Sequence, residues 1–187
     1  MISIAIGLIL YNNNQSNKVL KENEEVIVIF DEVIKKNINN TEIKENTNTI
    51  ISENITNTDT SININGYNYS GILSIPGINL TIPIIENWSY PNLKISSCIY
   101  SGSIRYNNLV IAGHNYKSTF RKLYDLHEGN TAYFKTSDGL IYNYKLEKIE
   151  ILNPTEVDNM KNSSYDLTLF TCTIGGKNRY TLRFSRI

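Results

Sequence analysis

"LTLFTCTIGGKNRYTLRF", residues 167–184, decides how this chain folds. Apolar and polar residues alternate through "DLTLFTC" and again through "RYTLRFSRI", the period of strands that bury one face. The loop between them contains Gly175-Gly176, so the two strands pair around a short connection. Cys172 ends the first strand and Arg179 opens the second. A lone thiol at a strand end has two readings: a packing residue, or a nucleophile on the rim of a sheet.

Working outward, the same texture continues upstream to Tyr67. "NTAYFKTSDGLIYNYKLEKIEIL" (130–152) is a hairpin turning at Asp138-Gly139. "YSGILSIPGINLTIPII" (69–85) gives two strands broken at Pro76-Gly77. "NLVIAGHN" (108–115) is an apolar run too short for a helix, ending at Gly113-His114, and "STFRKLYDL" (118–126) reads as a helical turn or two capped by Ser118. About eight short strands predict a mainly β domain over 67–187, a compact barrel or sandwich.

The first third differs. "MISIAIGLILY" (1–11) is apolar but shorter than the roughly 20 residues that span a bilayer. No basic residue precedes it, so a secretory signal is poorly matched. Residues 1–17 read as the remnant of a membrane anchor followed by a polar spacer. In "KVLKENEEVIVIFDEVIKK" (18–36), Ile27, Phe30 and Ile34 fall at helical spacing with charges opposite, predicting a helix. Residues 37–66, rich in Asn, Thr, Ser and Glu, read as a linker that contributes little to the core.

Composition excludes several functions. Lys plus Arg and Asp plus Glu number 18 each, so nothing electrostatic recommends nucleic acid as a partner. Two cysteines make no disulfide framework, and no C-x-x-C or His-rich tract suggests zinc. Glu86, Glu156 and Asp158 form no dense oxygen cluster and read as solvated carboxylates, so no metal or cofactor is expected.

The chemistry rests on few residues. Of the two histidines, His127 sits in a polar turn, whereas His114 ends a buried-looking strand. A cysteine nucleophile needs an imidazole within reach and a donor for the oxyanion of a tetrahedral intermediate. Arg179 and Arg183 both offer a guanidinium, on one face of one strand. If residues 173–178 close a hairpin-like loop, Arg179 lies opposite Cys172, with Arg183 about 13 Å further along. Geometry favours Arg179. Cys98, in "SSCIYSG", reads as a small packing residue.

"TLFTC" (168–172), an arginine opening the next strand and "IAGHNY" (111–116) upstream together resemble the sortase family of cysteine transpeptidases. The resemblance spans about residues 69–187. It implies a closed eight-stranded barrel with short helices, Cys172 as nucleophile, His114 as acid/base and Arg179 on the substrate carbonyl or oxyanion. It also implies cleavage of a Leu-Pro-x-Thr-Gly-like sorting signal between Thr and Gly. The thioester then passes to a peptidoglycan cross-bridge amine or a pilin lysine. The implied partners are surface proteins with C-terminal sorting signals, at the outer face of a membrane reached through an N-terminal anchor. Thr171 and Tyr116 flank the catalytic positions and are candidates for lining the substrate groove. The short stretch from His114 to Cys172 leaves little room for the helical insertion of class B enzymes, so an A- or D-like member is expected. Two alternatives compete. An L,D-transpeptidase normally carries histidine two residues before its cysteine, where this chain has Phe170; a non-enzymatic surface β-domain would merely bury Cys172.

Overall fold

A computed structural model describes the backbone of residues 2–45 and 60–187, and the side chains of residues 14–39 and 60–187. Nine strands follow a long helix: α1 Ile2–Glu45, β1 Ile62–Ile64, β2 Tyr67–Ile75, β3 Leu80–Ile85, α2 Tyr90–Leu93, β4 Ser97–Ser101 and β5 Leu109–Ala112. Then come β6 Thr131–Thr136, β7 Ile141–Leu152, α3 Val157–Lys161, β8 Leu167–Cys172 and β9 Arg179–Arg186. Short 3-10 helices occupy Pro76–Ile78 (one turn) and Phe120–Asp125 (about two).

The strands run in the order β1-β2-β3-β4-β5-β8-β9-β7-β6, and β6 returns to pair with β2 through Gly71↔Thr136 to Ser74↔Tyr133. That last ladder closes β2–β9 into an eight-stranded barrel, with the three-residue β1 added beside the start of β2. Pairing is antiparallel except for β3–β4 and β5–β8. Closure satisfies the backbone groups that an open edge would leave unpaired.

Alternation sorts the side chains. Leu167 and Leu169 of β8, Leu109 and Ile111 of β5, and Leu182 and Phe184 of β9 point into the barrel core. Val110, Ala112 and Phe170 take the outer face and pack with Leu152 and Met160. This outer face carries the site.

The sequence reading needs correction at the N-terminal side. The helix expected over 18–36 extends through Ile2–Glu45, and β1 falls within the stretch read as linker. Residues 46–59 of that stretch lie outside the described ones. Nor does the segment stand apart from the barrel. Ser16, Val19, Asn23, Val26, Phe30 and Ile34 form a buried stripe at three- and four-residue spacing. Val26, Phe30 and Ile34 pack with Ile64, Tyr69, Ile72, Ile85 and Cys98 into one apolar cluster. The Asp31–Lys135 ion pair, at 2.8 Å, ties the same helix to β6. No helix among the described residues is long and apolar enough to cross a membrane. The helical segment after His114 is 3-10 rather than α, with Thr119 instead of Ser118 at its N-cap position and no side-chain capping bond.

Candidate active site

β8 and β9 pair in the register Cys172↔Arg179 and Thr168↔Arg183, which places Arg179 across from the thiol. The loop that joins them turns through Gly175 and Gly176, both at positive φ (91° and 76°), a conformation open to glycine at little cost. Arg179 donates through Nη1 to the Gly176 and Asn178 carbonyls at 3.4 and 3.3 Å, so this loop steadies the guanidinium.

β5 runs parallel to β8 and delivers His114 alongside. The Gly113 N–H donates to the Phe170 carbonyl at 3.1 Å, and the Thr171 hydroxyl donates to the Gly113 carbonyl at 2.8 Å. A Cβ at position 113 would stand 2.5 Å from the Phe120 ring and 2.7 Å from Ser97 Oγ. Glycine before the histidine is therefore a packing requirement. Burial, with the Lys94 charge adding to it, holds the His114 imidazole below its ordinary value of 6.5. It is thus neutral near pH 7 and able to accept a proton. The Tyr116 ring lies against it, 4.9 Å between centroids.

Cys172, His114 and Arg179 all line one open groove of about 220 Å³ on the outer barrel face. Its apolar wall is a chain of tilted and edge-on rings: Trp88–Tyr90 at 5.1 Å, Trp88–Tyr100 at 5.7 Å and Tyr100–Phe170 at 5.2 Å. α2, α3 and the Asn153–Glu156 turn frame it, contributing Leu93, Val157 and Met160. Glu156 also lines the groove, with its carboxylate accepting from the Asn153 N–H (2.7 Å) and the Asn159 amide (2.9 Å). These bonds hold it below the usual carboxylate range. Glu86 instead accepts from the Ser61 hydroxyl at 3.2 Å. Among the described residues, no group of three or more His, Cys, Asp or Glu is placed to hold a metal.

The remaining candidates separate. Thr171 has the inward parity of Leu169, is 1% exposed and spends its hydroxyl on Gly113. It lines the groove beside Cys172, as the sequence reading expected, while its hydroxyl links β8 to the His114 turn. Tyr116 reaches the groove only through the imidazole it packs on, being absent from the groove wall. Arg183 is 2% exposed, and its guanidinium is fully engaged by Glu150 Oε1, the Thr168 hydroxyl and the carbonyls of Asn159 and Met160. Cys98 is buried beneath α1, where burial pushes its thiol up to about 12. Such a thiol is inert at neutral pH.

Sequence reasoning missed two groups at the nucleophile. Asn115 donates its side-chain amide to the Cys172 carbonyl at 2.9 Å, and the Tyr124 hydroxyl approaches the same oxygen at 3.4 Å. Tyr124 is itself stacked on Tyr180 at 4.2 Å. The aromatic wall was missed too, because its members come from three separate segments.

A thiol, a neutral imidazole and a steadied guanidinium facing one groove are the equipment of a cysteine acyl-transfer enzyme. The sortase domain model matches residues 73–185, more than half of the chain. The chain belongs to the sortase family of cysteine transpeptidases. Comparison with curated proteins finds no match. Solved structures do resemble it. The sortase D5 transpeptidase of Clostridium perfringens is 22% identical, with a TM-score of 0.61 over 89% of this chain and 96% of that one. Sortase C1 of group B Streptococcus pilus island 1 is 24% identical, with a TM-score of 0.55 over 63% of each chain. Sortase A of Corynebacterium diphtheriae, as a lid mutant, is 22% identical, with a TM-score of 0.55 over 64% and 70%. At these identities the likeness is one of fold.

Proposed function

We propose that this chain cleaves a Leu-Pro-x-Thr-Gly-like sorting signal between Thr and Gly and transfers the Thr acyl group to an amine. The observation that carries the reading is the Cys172↔Arg179 register, with His114 on the same groove. The Cys172 thiol passes its proton to His114 and its sulfur attacks the Thr carbonyl. Arg179 donates to the oxygen as it gains negative charge. Collapse breaks the Thr–Gly bond, with the imidazolium proton going to the departing Gly nitrogen, and leaves a thioester. An acceptor amine then attacks that carbonyl, loses a proton to His114 and releases the thiol. The acceptor is a peptidoglycan cross-bridge or a pilin lysine.

Attachment at the outer face of the membrane, through the apolar start of the chain, is part of the proposal. Its support is the continuity of α1, which places Tyr11 only about 8 Å along the helix axis from Ser16. An anchor there would hold the groove close to the lipid surface, where an acceptor linked to lipid or wall is found.

The test incubates the chain with labelled sorting-signal peptides and candidate amines and identifies adducts by mass spectrometry. A peptide thioester on Cys172 and a Thr-amine product are expected. Cys172→Ala should abolish both, and Cys98→Ala should spare both. Cleavage by Cys172→Ala at near wild-type rate would remove the assignment.

A further inference from the structure

The segment that carries His114 is held from two directions. On one side Asn115 binds the Cys172 carbonyl, as above. On the other the tie leaves the barrel altogether. Ser118 N–H donates to Ser16 Oγ of α1 at 3.0 Å, and the Ser16 hydroxyl donates to Ser118 Oγ at 2.8 Å. Both serines are buried, 7% and 8% exposed, so water competes little for either bond. From Ser118 the restraint passes to the histidine within one residue. The Thr119 hydroxyl donates to the His114 carbonyl at 2.7 Å, and the Phe120 N–H donates to the same oxygen at 3.3 Å.

Two further features give these bonds weight. Gly113, before His114, is held by its own bonds to Phe170 and Thr171, so the ties at Ser118 and Thr119 complete the hold on the imidazole from its other side. Position 16 also lies on the buried stripe of α1, where an apolar residue would pack without needing a partner. A serine there, turned onto a buried backbone N–H, serves the loop rather than the helix.

We propose that Ser16 is a positioning residue for the acyl-transfer site: through Ser118 it holds the loop that presents His114 to Cys172. This rests on the transpeptidase reading above. It makes α1 a working part of the site. Because Ser16 lies apart from the aromatic wall, it acts on the chemical step and leaves peptide binding alone.

The experiment uses the full chain and compares Ser16→Ala and Ser16→Thr with wild type by three readouts. Amide exchange of Ser118 reports the tie itself, and native-state alkylation of Cys172 by iodoacetamide reports how well His114 serves the thiol. Turnover of the peptide that acylates Cys172 reports kcat and KM. Ser16→Ala should speed Ser118 exchange and slow both alkylation and kcat by about ten-fold each, with KM within about two-fold of wild type. Ser16→Thr keeps the hydroxyl and should restore most of each loss. Wild-type alkylation and kcat in Ser16→Ala, whatever its Tm, overturns the proposal. Should wild type turn over no peptide, the transpeptidase reading falls, while exchange and alkylation still decide the role of Ser16.

Discussion

At the scale of single residues, two arginines four apart on one strand sit in opposite settings, and the role proposed for Arg179 predicts its own result. Arg179 faces the groove with its guanidinium steadied by loop carbonyls at 3.3 and 3.4 Å. Arg179→Ala should lower kcat/KM by about 10²–10³, the loss seen when one oxyanion donor is removed. Arg179→Lys should recover only part, since an ammonium lacks the planar fork. Near-normal kinetics in Arg179→Ala would refute its role. His114 supplies a second test. In the proposed mechanism Cys172 and His114 work with one shared proton, so the acid limb of the kcat/KM profile would mark loss of the second proton from the cationic form of His114. Burial first, and the Lys94 charge second, lower that pKa. Lys94→Gln should therefore move the limb to higher pH, and less so in high salt. A limb that stays put excludes the electrostatic link. The thiol, imidazole and guanidinium were legible because each ends or opens a strand-like run, apolar before His114 and alternating around Cys172 and Arg179, and parity plus loop length set Cys172 against Arg179. Asn115 and Tyr124 were not. Their bonds run from side chain to a distant backbone oxygen and leave no periodic trace in the chain.

Among the elements, α3 is a short helix that cannot hold itself in water and depends on what it touches. Arg183 supplies the anchor, reaching the Asn159 and Met160 carbonyls from β9 while its Nε pairs with Glu150 of β7 at 2.8 Å. Lys148 Nζ meets the same carboxylate at 2.6 Å. Burial alone would raise the Glu150 carboxyl, but the bonds from Lys148 and Arg183 outweigh it and hold the group below its ordinary 4.5. The unfolded chain thus takes up this proton at higher pH than the folded one. The stabilisation from Glu150 is complete above about pH 4.5 and is lost as pH falls through the lower folded value. Arg183→Ala should cost about 2–4 kcal/mol by denaturant titration, because the Asn159 and Met160 carbonyls and the Thr168 hydroxyl lose their donor, while Lys148 still pairs with Glu150. In Glu150→Gln the decline in stability below pH 5 should flatten; an unchanged acid profile would mean another carboxylate dominates. The sequence reading gave Arg183 only its distance from the thiol. That it is buried follows from α3 folding over β9, a tertiary event that strand periodicity does not encode.

For the molecule as a whole, the barrel's strands were readable and its N-terminal partner only partly so. Strand runs, the Asp138-Gly139 turn and the paired final strands carry strong local signals, whereas closure through β2–β6 is a long-range pairing that the strand count left open between barrel and sandwich. The apolar spacing of Phe30 and Ile34 revealed a helix, but Ser16 and Asn23 occupy stripe positions where a hydrophobic pattern expects apolar residues. The stripe therefore seemed to end too soon, and the polar flank looked like a free stalk. The structure instead lays α1 over Ile64, Tyr69, Ile72 and Ile85, with Cys98 in the same cluster and 0% exposed. Deleting residues 1–59 should uncover this patch, lower Tm and create a binding surface for hydrophobic dyes. Cys98 reports the event directly. In a Cys172→Ala background the full chain should resist iodoacetamide until it unfolds, since its single thiol is buried with a pKa of about 12. The deleted form should label under native conditions, because the residues that exclude reagent from that side are gone. Equal Tm and an equally silent Cys98 in the two forms would show that the barrel closes over this cluster without the helix, and that α1 rests on it without contributing to the core.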